Sequence, residues 1–209
     1  MTVRNRVVRG VPASEHIVQF FDSDETRAEA VAGFLAEGYR HGEPLIVVAR
    51  PANWTAIIEH LHAADVPVQR LIARETLIVK DANDTLRRLS RNGTPDAAAF
   101  EAIISAPVLE TARFGRVRAY GEMVDILAQR TDLADAVKLE ALWNDLSERA
   151  RLYLMCGYSA AHFVATNTHS MLRQICRSHT QVHSSTSDPL AAWLLASAHP
   201  GSRDSATLN

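Results

Sequence analysis

The sequence lacks the features that mark several specialised classes of protein. Two cysteines among 209 residues cannot build a disulfide framework. Because 22 lysines and arginines face 24 acidic residues, no basic surplus is available for a phosphate backbone, and we expect no nucleic-acid partner. No run of about 18 apolar residues occurs, which predicts no membrane-spanning segment. Since residues 1–14 also lack the apolar core of a signal peptide, we expect a cytoplasmic protein with no membrane partner.

What is present suits one folded domain with short extensions. Hydrophobic residues make up 47% of the chain and charged residues 22%, which are ordinary values for a globular protein. The length exceeds the roughly 150 residues of a usual domain. We predict an N-terminal arm at residues 1–14, a domain at residues 15–183 and a flexible C-terminal tail at residues 184–209. Within that tail, residues 189–197 could form a short helix.

Short apolar runs alternate along the chain with amphipathic segments. Five runs predict strands, at residues 16–21, 44–49, 77–80, 116–120 and 152–157. The run at 116–120 alternates apolar and charged residues, which favours a place nearer the edge of a sheet. Helices are predicted at residues 24–41, 52–64, 84–91, 96–113 with a break at Pro107, 122–129, 133–150 and 160–178, and a linker at 180–187. This alternation predicts an α/β fold: a three-layer sandwich around a mostly parallel sheet of about five or more strands.

The carboxyl ends of the strands are the expected ligand-binding edge of such a sheet. After the first strand comes Asp22-Ser23-Asp24-Glu25-Thr26, which has three carboxylates and neither glycine nor lysine. Such a segment does not cradle a phosphate as a glycine-rich loop does. The simplest interpretation is helix capping by Asp22 or Ser23, supported by Glu25 or Thr26. The alternative is that the same residues also contact a polar ligand or Mg²⁺.

Polar side chains follow the other predicted strands as well. Arg50 follows the second strand, Asp81 the third, Tyr120 and Glu122 the fourth, and Tyr158 the fifth. Each also has a plain structural interpretation, such as an exposed arginine or an acid in the first turn of a helix. If the strand assignments are right, the strand ends converge on one crevice. We therefore predict a small-molecule site formed by Asp22, Ser23, Asp24, Arg50, Asp81, Tyr120, Glu122 and Tyr158.

Nine histidines raise the question of a bound metal. Cys176, His179 and His183 would share one face of a helix and could hold Zn²⁺. No fourth ligand lies nearby in the sequence, so the favoured interpretation is a solvated helix end, and we expect neither a metal nor a cofactor. A hydrolase nucleophile requires a glycine-flanked elbow, and Gly157-Tyr158-Ser159-Ala160 does not complete one. We predict no catalytic residues.

Residues 34–49, FLAEGYRHGEPLIVVA, resemble the helix and strand that follow the phosphate loop of RecA-like, KaiC-type ATPases. In this chain HIVQFFDSDET stands in place of that loop. Together with RVRAYGEMVDIL, KLEALWNDL, LYLMCGYS and LRQICRSHTQV, these segments resemble the MEDS family, the methanogen/methylotroph sensory domain. The resemblance covers roughly residues 16–183.

The resemblance implies a RecA-like fold that has lost nucleotide hydrolysis and its phosphate loop. It implies a sensory domain for small molecules, with hydrocarbon derivatives proposed as ligands. Relatives are often fused to a histidine kinase or to a DNA-binding helix-turn-helix. Too few residues follow Val182 for a kinase, so we expect the signal to pass to a separate protein, a histidine kinase or a transcriptional regulator. A homodimer is left open.

Two other functions are left open by the sequence. A divergent nucleotide-binding ATPase would use Glu122 to activate water and Asp22 or Asp24 to hold Mg²⁺. The missing lysine and phosphate loop count against it, because phosphoryl transfer depends on positioning and charge neutralisation. A ligand-free interaction module would dock on a partner through the apolar residues at 190 and 193–195, although these could equally cover the protein's own core.

Overall fold

A sheet of six parallel strands forms the middle layer of the fold. The structure is a computed structural model, and it describes residues 14–163 and 169–184. The strands of the sheet are β1 (Glu15–Phe21), β2 (Leu45–Ala49), β3 (Leu77–Asp81), β6 (Val117–Gly121), β7 (Leu152–Ser159) and β8 (Gln181–Ser184), and β4 (Ser90–Arg91) with β5 (Thr94–Pro95) forms a separate hairpin. Their order across the sheet is β3-β2-β6-β7-β1-β8. The predicted α/β class and parallel sheet are confirmed.

Helices cover both faces of this sheet. They are α1 (Asp24–Arg40), α2 (Pro51–Ala63), α3 (Val68–Ala73), α4 (Ala82–Leu89), α5 (Ala97–Phe100), α6 (Ala106–Ala112), α7 (Met123–Gln129), α8 (Leu133–Arg149) and α9 (His169–Arg177). Helices α1 to α3 pack on one face and α4 to α9 on the other, which gives two apolar cores. The chain therefore forms the three layers that the sequence predicts.

Strand β2 shows why its sequence is apolar without alternation. All five of its residues are buried. Ile46 and Val48 belong to one core, whereas Leu45, Val47 and Ala49 belong to the other. A strand covered on both faces has no solvent side, so polar residues have no place in it.

Strand β6 lies inside the sheet, between β2 and β7, and the prediction of a place nearer the edge is wrong. The charged residue that suggested an edge, Arg118, is fully buried. Its Nε donates to Glu43 Oε2 at 2.6 Å and its Nη1 to Glu37 Oε2 at 2.8 Å. Its guanidinium also lies over the rings of Phe34 and Tyr153. An arginine paired and stacked in this way is compatible with an interior strand.

The helix predicted at residues 96–113 is interrupted as expected near Pro107. The interruption is a π-helical turn, Glu101–Ser105, between α5 and α6. Proline has no amide hydrogen, and its ring crowds the carbonyl four residues earlier, so a widened turn relieves the conflict. The short helix α3 and the hairpin of β4 and β5 were missed by the sequence analysis.

The C-terminal part of the described chain differs from the prediction in two ways. The predicted helix at 160–178 consists of a 3₁₀ turn, Ala160–Phe163, and, beyond residues 164–168, helix α9. The predicted linker at 180–187 contains strand β8, which extends the sheet because it pairs with the outer edge of β1. Thr180 begins this pairing, since its amide donates to His16 O at 2.7 Å.

The predicted arm at 1–14 and tail at 184–209 lie outside the described residues, apart from Ser14 and Ser184. Among the helices that the structure describes, none combines the length and apolar character needed to cross a membrane.

Candidate functional site

A polar crevice opens where four neighbouring strands end. In the sheet β2, β6, β7 and β1 are adjacent, and their carboxyl ends lead into α2, α7, the 3₁₀ turn and α1. Helices α1 and α2 cover one face of the sheet, whereas α7 covers the other. The chain segments therefore diverge at this edge, which is where open α/β sheets bind ligands.

The start of α1 confirms the capping interpretation of the acidic segment. Ser23 Oγ accepts the amide of Thr26 and Thr26 Oγ1 accepts the amide of Ser23, both at 3.2 Å. Asp22, Ser23 and Asp24 are exposed, and Asp24 pairs with Arg27 one turn later. Because Ser23 and Thr26 already cap α1, some of the amides in the first turn of this helix are not available to a ligand.

Glu122 lies beneath the crevice and joins the end of β6 to the end of β2. Its side chain is fully buried. Its Oε2 accepts the Arg50 amide at 3.0 Å, Arg50 Nη1 at 3.3 Å and Asn53 Nδ2 at 2.8 Å. Its Oε1 accepts the hydroxyl of Tyr120 at 3.2 Å. Burial raises the pKa of Glu122, and the donors from Arg50 and Asn53 oppose that rise only in part.

Asp125, on the first turn of α7, was not predicted and is the second buried acid of the crevice. Its Oδ2 accepts Arg50 Nη1 at 2.7 Å, and its Oδ1 accepts the amide of Ser159 at 2.7 Å. His162 Nε2 lies 3.1 Å from Oδ1, and Arg27 Nη2 lies 3.9 Å from Oδ2. Burial by itself would raise the pKa of Asp125, but His162, the Ser159 amide and Arg50 lower it to about 2.

The crevice has a volume of about 270 Å³ and a polar lining, formed by Asp24, Arg27, Arg50, Asn53, Asp125, Gln129, Ser159 and His162. Two predicted residues, Asp24 and Arg50, are among them. The six others were missed, because they lie on the helical turns that follow the strands or, for Ser159, at the very end of β7.

The remaining predicted residues lie around the crevice or away from it. Asp22 and Ser23 are at the exposed start of α1, and Tyr120 and Glu122 are buried below the lining. Asp81 caps α4, where it accepts the amides of residues 83 and 84. Tyr158 points into the core on the α8 side, where its hydroxyl donates to Glu140 Oε1 at 2.8 Å.

Gly157 on β7 leaves the space that the buried Tyr120 hydroxyl occupies. A Cβ at this position would lie 2.7 Å from the hydroxyl oxygen of Tyr120. We expect Gly157→Ala to displace Tyr120 from Glu122 and to lower the free energy of unfolding by about 1–3 kcal/mol in urea denaturation. Gly121→Ala is the control, because its Cβ would meet only Trp143, at 3.9 Å. Equal losses in both variants would contradict the expectation.

The predicted helical trio of Cys176, His179 and His183 does not form. Helix α9 ends at Arg177, and His183 lies exposed on β8. Cys176 packs in the apolar core. His179 instead turns inwards, and its Nε2 lies 3.4 Å from Glu140 Oε2. The helical spacing failed because the helix ends two residues before His179.

Comparison with known proteins identifies one family. The sequence profile of the MEDS family, described as the methanogen/methylotroph, DcmR sensory domain, matches residues 15–180. The match covers β1 to α9 and therefore includes every residue that lines the crevice. No curated protein matches the chain significantly.

Proposed function

Because the chain belongs to the MEDS family of sensory domains, we propose that it is a non-catalytic sensor that binds a small polar ligand in the polar crevice. The lining of the crevice is the main support for a ligand, because hydrogen-bond donors and acceptors from four strand ends face one cavity. A cavity of about 270 Å³ suits a small molecule. The position at the carboxyl edge of a parallel sheet supports the same proposal.

The charges around the crevice favour one class of ligand. Arg27 and Arg50 supply two positive charges, while Asp24, Asp125 and the underlying Glu122 supply carboxylates. Such a balance offers no net attraction to a phosphate, whose binding sites are rich in amide donors and cations. It also offers little apolar surface to a bare hydrocarbon. We therefore propose a neutral or zwitterionic ligand with hydroxyl, carbonyl or amine groups.

The output of the sensor is proposed to pass through a separate signalling protein, a histidine kinase or a transcriptional regulator. Family membership supports the sensory role. Cytoplasmic action is part of the proposal, because the two cysteines, Cys156 and Cys176, are not joined by a disulfide.

A titration with a defined panel tests the proposed ligand class. The full chain is titrated calorimetrically with short-chain alcohols, amides, amines and amino acids, and separately with Mg-ATP and Mg-ADP. We expect a member of the polar panel to bind and to raise the melting temperature, and the nucleotides to give no heat. Micromolar binding of Mg-ATP, or a panel without any binder, would overturn the proposal.

Gln129→Ala tests whether binding takes place in the crevice. Gln129 lines the cavity near Arg50, so we expect the variant to weaken binding of the ligand about 2- to 10-fold, the effect of one lost hydrogen bond. Gln174→Ala is the matched control, because Gln174 is an exposed glutamine on α9. If both variants bind with wild-type affinity, the ligand lies elsewhere.

A further inference from the structure

Four side chains with metal-binding atoms meet in the core, away from the polar crevice. They are His16 on β1, Glu140 on α8, Cys156 on β7 and His179 in the turn between α9 and β8. One ligand atom from each lies within 4.8 Å of all the others. All four residues are buried. We call them the His-Glu-Cys-His cluster.

Three of the six distances between ligand atoms in the cluster are close to those around a tetrahedral zinc ion. His16 Nε2 lies 3.2 Å from Cys156 Sγ and 3.4 Å from Glu140 Oε2. His179 Nε2 lies 3.4 Å from the same Oε2. Bonds of about 2.0–2.3 Å in a tetrahedron place neighbouring ligand atoms about 3.3–3.7 Å apart. An ion could therefore bind if the other pairs, which lie within 4.8 Å of each other, close to this spacing.

The neighbours of the cluster orient its ligand atoms towards the centre. His179 Nδ1 lies 2.7 Å from the carbonyl oxygen of Ile175, which can only accept a hydrogen bond. Nδ1 of His179 therefore carries a proton, so in the neutral imidazole the lone pair of Nε2 faces the cluster. His16 Nδ1 has an equivalent partner in Asn144 Oδ1, at 2.8 Å. Metal-binding histidines are held by outer hydrogen bonds of this kind.

Two buried atoms of the cluster face each other without a hydrogen bond. Within the described part of the chain, Glu140 Oε2 and His179 Nε2 lie 3.4 Å apart, and neither makes a hydrogen bond. The other carboxylate oxygen of Glu140 is occupied, because it accepts the Tyr158 hydroxyl. Buried polar atoms are rarely left unpaired. One cation bound by both atoms would account for them.

We propose that the His-Glu-Cys-His cluster is a structural Zn²⁺ site. Two imidazoles, a thiolate and a carboxylate are all ligands that zinc accepts, and four protein ligands leave no open position for catalysis. The site joins β1, β7 and α8 to the turn before β8. His179 precedes Thr180, whose amide bonds to His16 O, so the ion fixes the edge strand to the sheet. This inference departs from our expectation of no metal and is independent of the crevice ligand.

Cobalt replaces zinc as a spectroscopic probe in the test. The purified full chain is stripped with a chelator and titrated with Co²⁺ and then with Zn²⁺. We expect one Co²⁺ per chain, tetrahedral d–d bands, a thiolate-to-cobalt charge-transfer band, and displacement of cobalt by zinc. Zinc should also raise the melting temperature of the stripped protein. Binding releases the thiol proton of Cys156 to solvent.

The two cysteines provide a matched pair of variants. Cys156→Ser should abolish the charge-transfer band and weaken Co²⁺ binding at least about 100-fold, since even second-shell changes cost 10- to 100-fold. Cys176→Ser should keep both, because Cys176 is buried outside the cluster. His179→Gln should weaken binding and His183→Gln should not.

Three outcomes would overturn the proposal. They are the absence of one-to-one binding to the wild-type chain, an octahedral spectrum without the thiolate band, and equal binding by the Cys156 and Cys176 variants. If the wild-type chain does not bind metal one-to-one, the cluster holds a proton shared between the histidines and Glu140 instead of an ion. If Cys156→Ser does not fold, the stoichiometry and the thiolate band of the wild-type protein decide the question.

Discussion

Asp125→Asn should lower the free energy of unfolding by about 3 kcal/mol at neutral pH. The substitution keeps the size of the side chain but removes the charge that faces Arg50 and Arg27. It also turns one acceptor into an amide group, which cannot accept the hydrogen bonds that both carboxylate oxygens now receive. Removing one partner from a buried ion pair typically costs about 3–5 kcal/mol, and we expect the lower end because Arg50 keeps Glu122 and Arg27 keeps Asp24.

The pH dependence of this loss separates charge from packing. The pKa of Asp125 falls from 3.8 to about 2 on folding. A carboxyl with a lowered pKa stabilises the folded state fully above its unfolded pKa, and that contribution disappears as the pH falls through the folded value. The difference in stability between the wild type and the variant should therefore be constant above about pH 5 and shrink by about 2 kcal/mol towards pH 2.

Urea denaturation between pH 2 and pH 7 measures this difference. Asp84→Asn is the control, because Asp84 forms exposed ion pairs with Arg87 and Arg88, and such pairs contribute less than about 1 kcal/mol. If the loss in Asp125→Asn is equally large at both ends of the range, the charge of Asp125 is not what stabilises the crevice.

The crevice could be located from the sequence, but most of its lining could not. The ends of strands can be predicted because apolar runs stop abruptly in the sequence. Asp24 and Arg50 were predicted in this way. Arg27, Asn53 and Asp125 belong to the first turns of helices, where side chains lean back towards the helix N-terminus and so reach the strand ends. They lie beyond the end of each strand and the first residue of the helix that follows it, to which the predicted site residues were confined.

The buried cluster could not be assembled from spacing, since its members lie far apart in the chain. His16, Glu140, Cys156 and His179 meet only because β1 pairs with both β7 and β8. Strand β8 itself has the composition of a linker, since its edge position leaves half of its residues exposed. Its partner strand, β1, is more than 160 residues away in the sequence, so no local sequence pattern predicts that they pair.

Arg118 is the second residue whose loss should have a large effect. The sequence predicts a strand nearer the edge of the sheet at this position, whereas the structure buries the guanidinium between Glu43, Glu37 and two aromatic rings. Arg118→Met keeps an apolar stem but leaves Glu43, which is 8% exposed, with only Arg116 as a partner. We expect a loss of about 3 kcal/mol in the free energy of unfolding, measured in urea.

A double variant shows how much of this loss comes from the carboxylate left behind. Glu43→Gln in the Arg118→Met background removes the unpaired charge, so the double variant should be more stable than the sum of the two single losses predicts. Arg149→Met is the control, because Arg149 pairs with Glu101 where both side chains are nearly half exposed, and its loss should cost less than about 1 kcal/mol. Strict additivity would mean that Arg118 stabilises the sheet through its stacking on Phe34 and Tyr153, independently of its charge on Glu43.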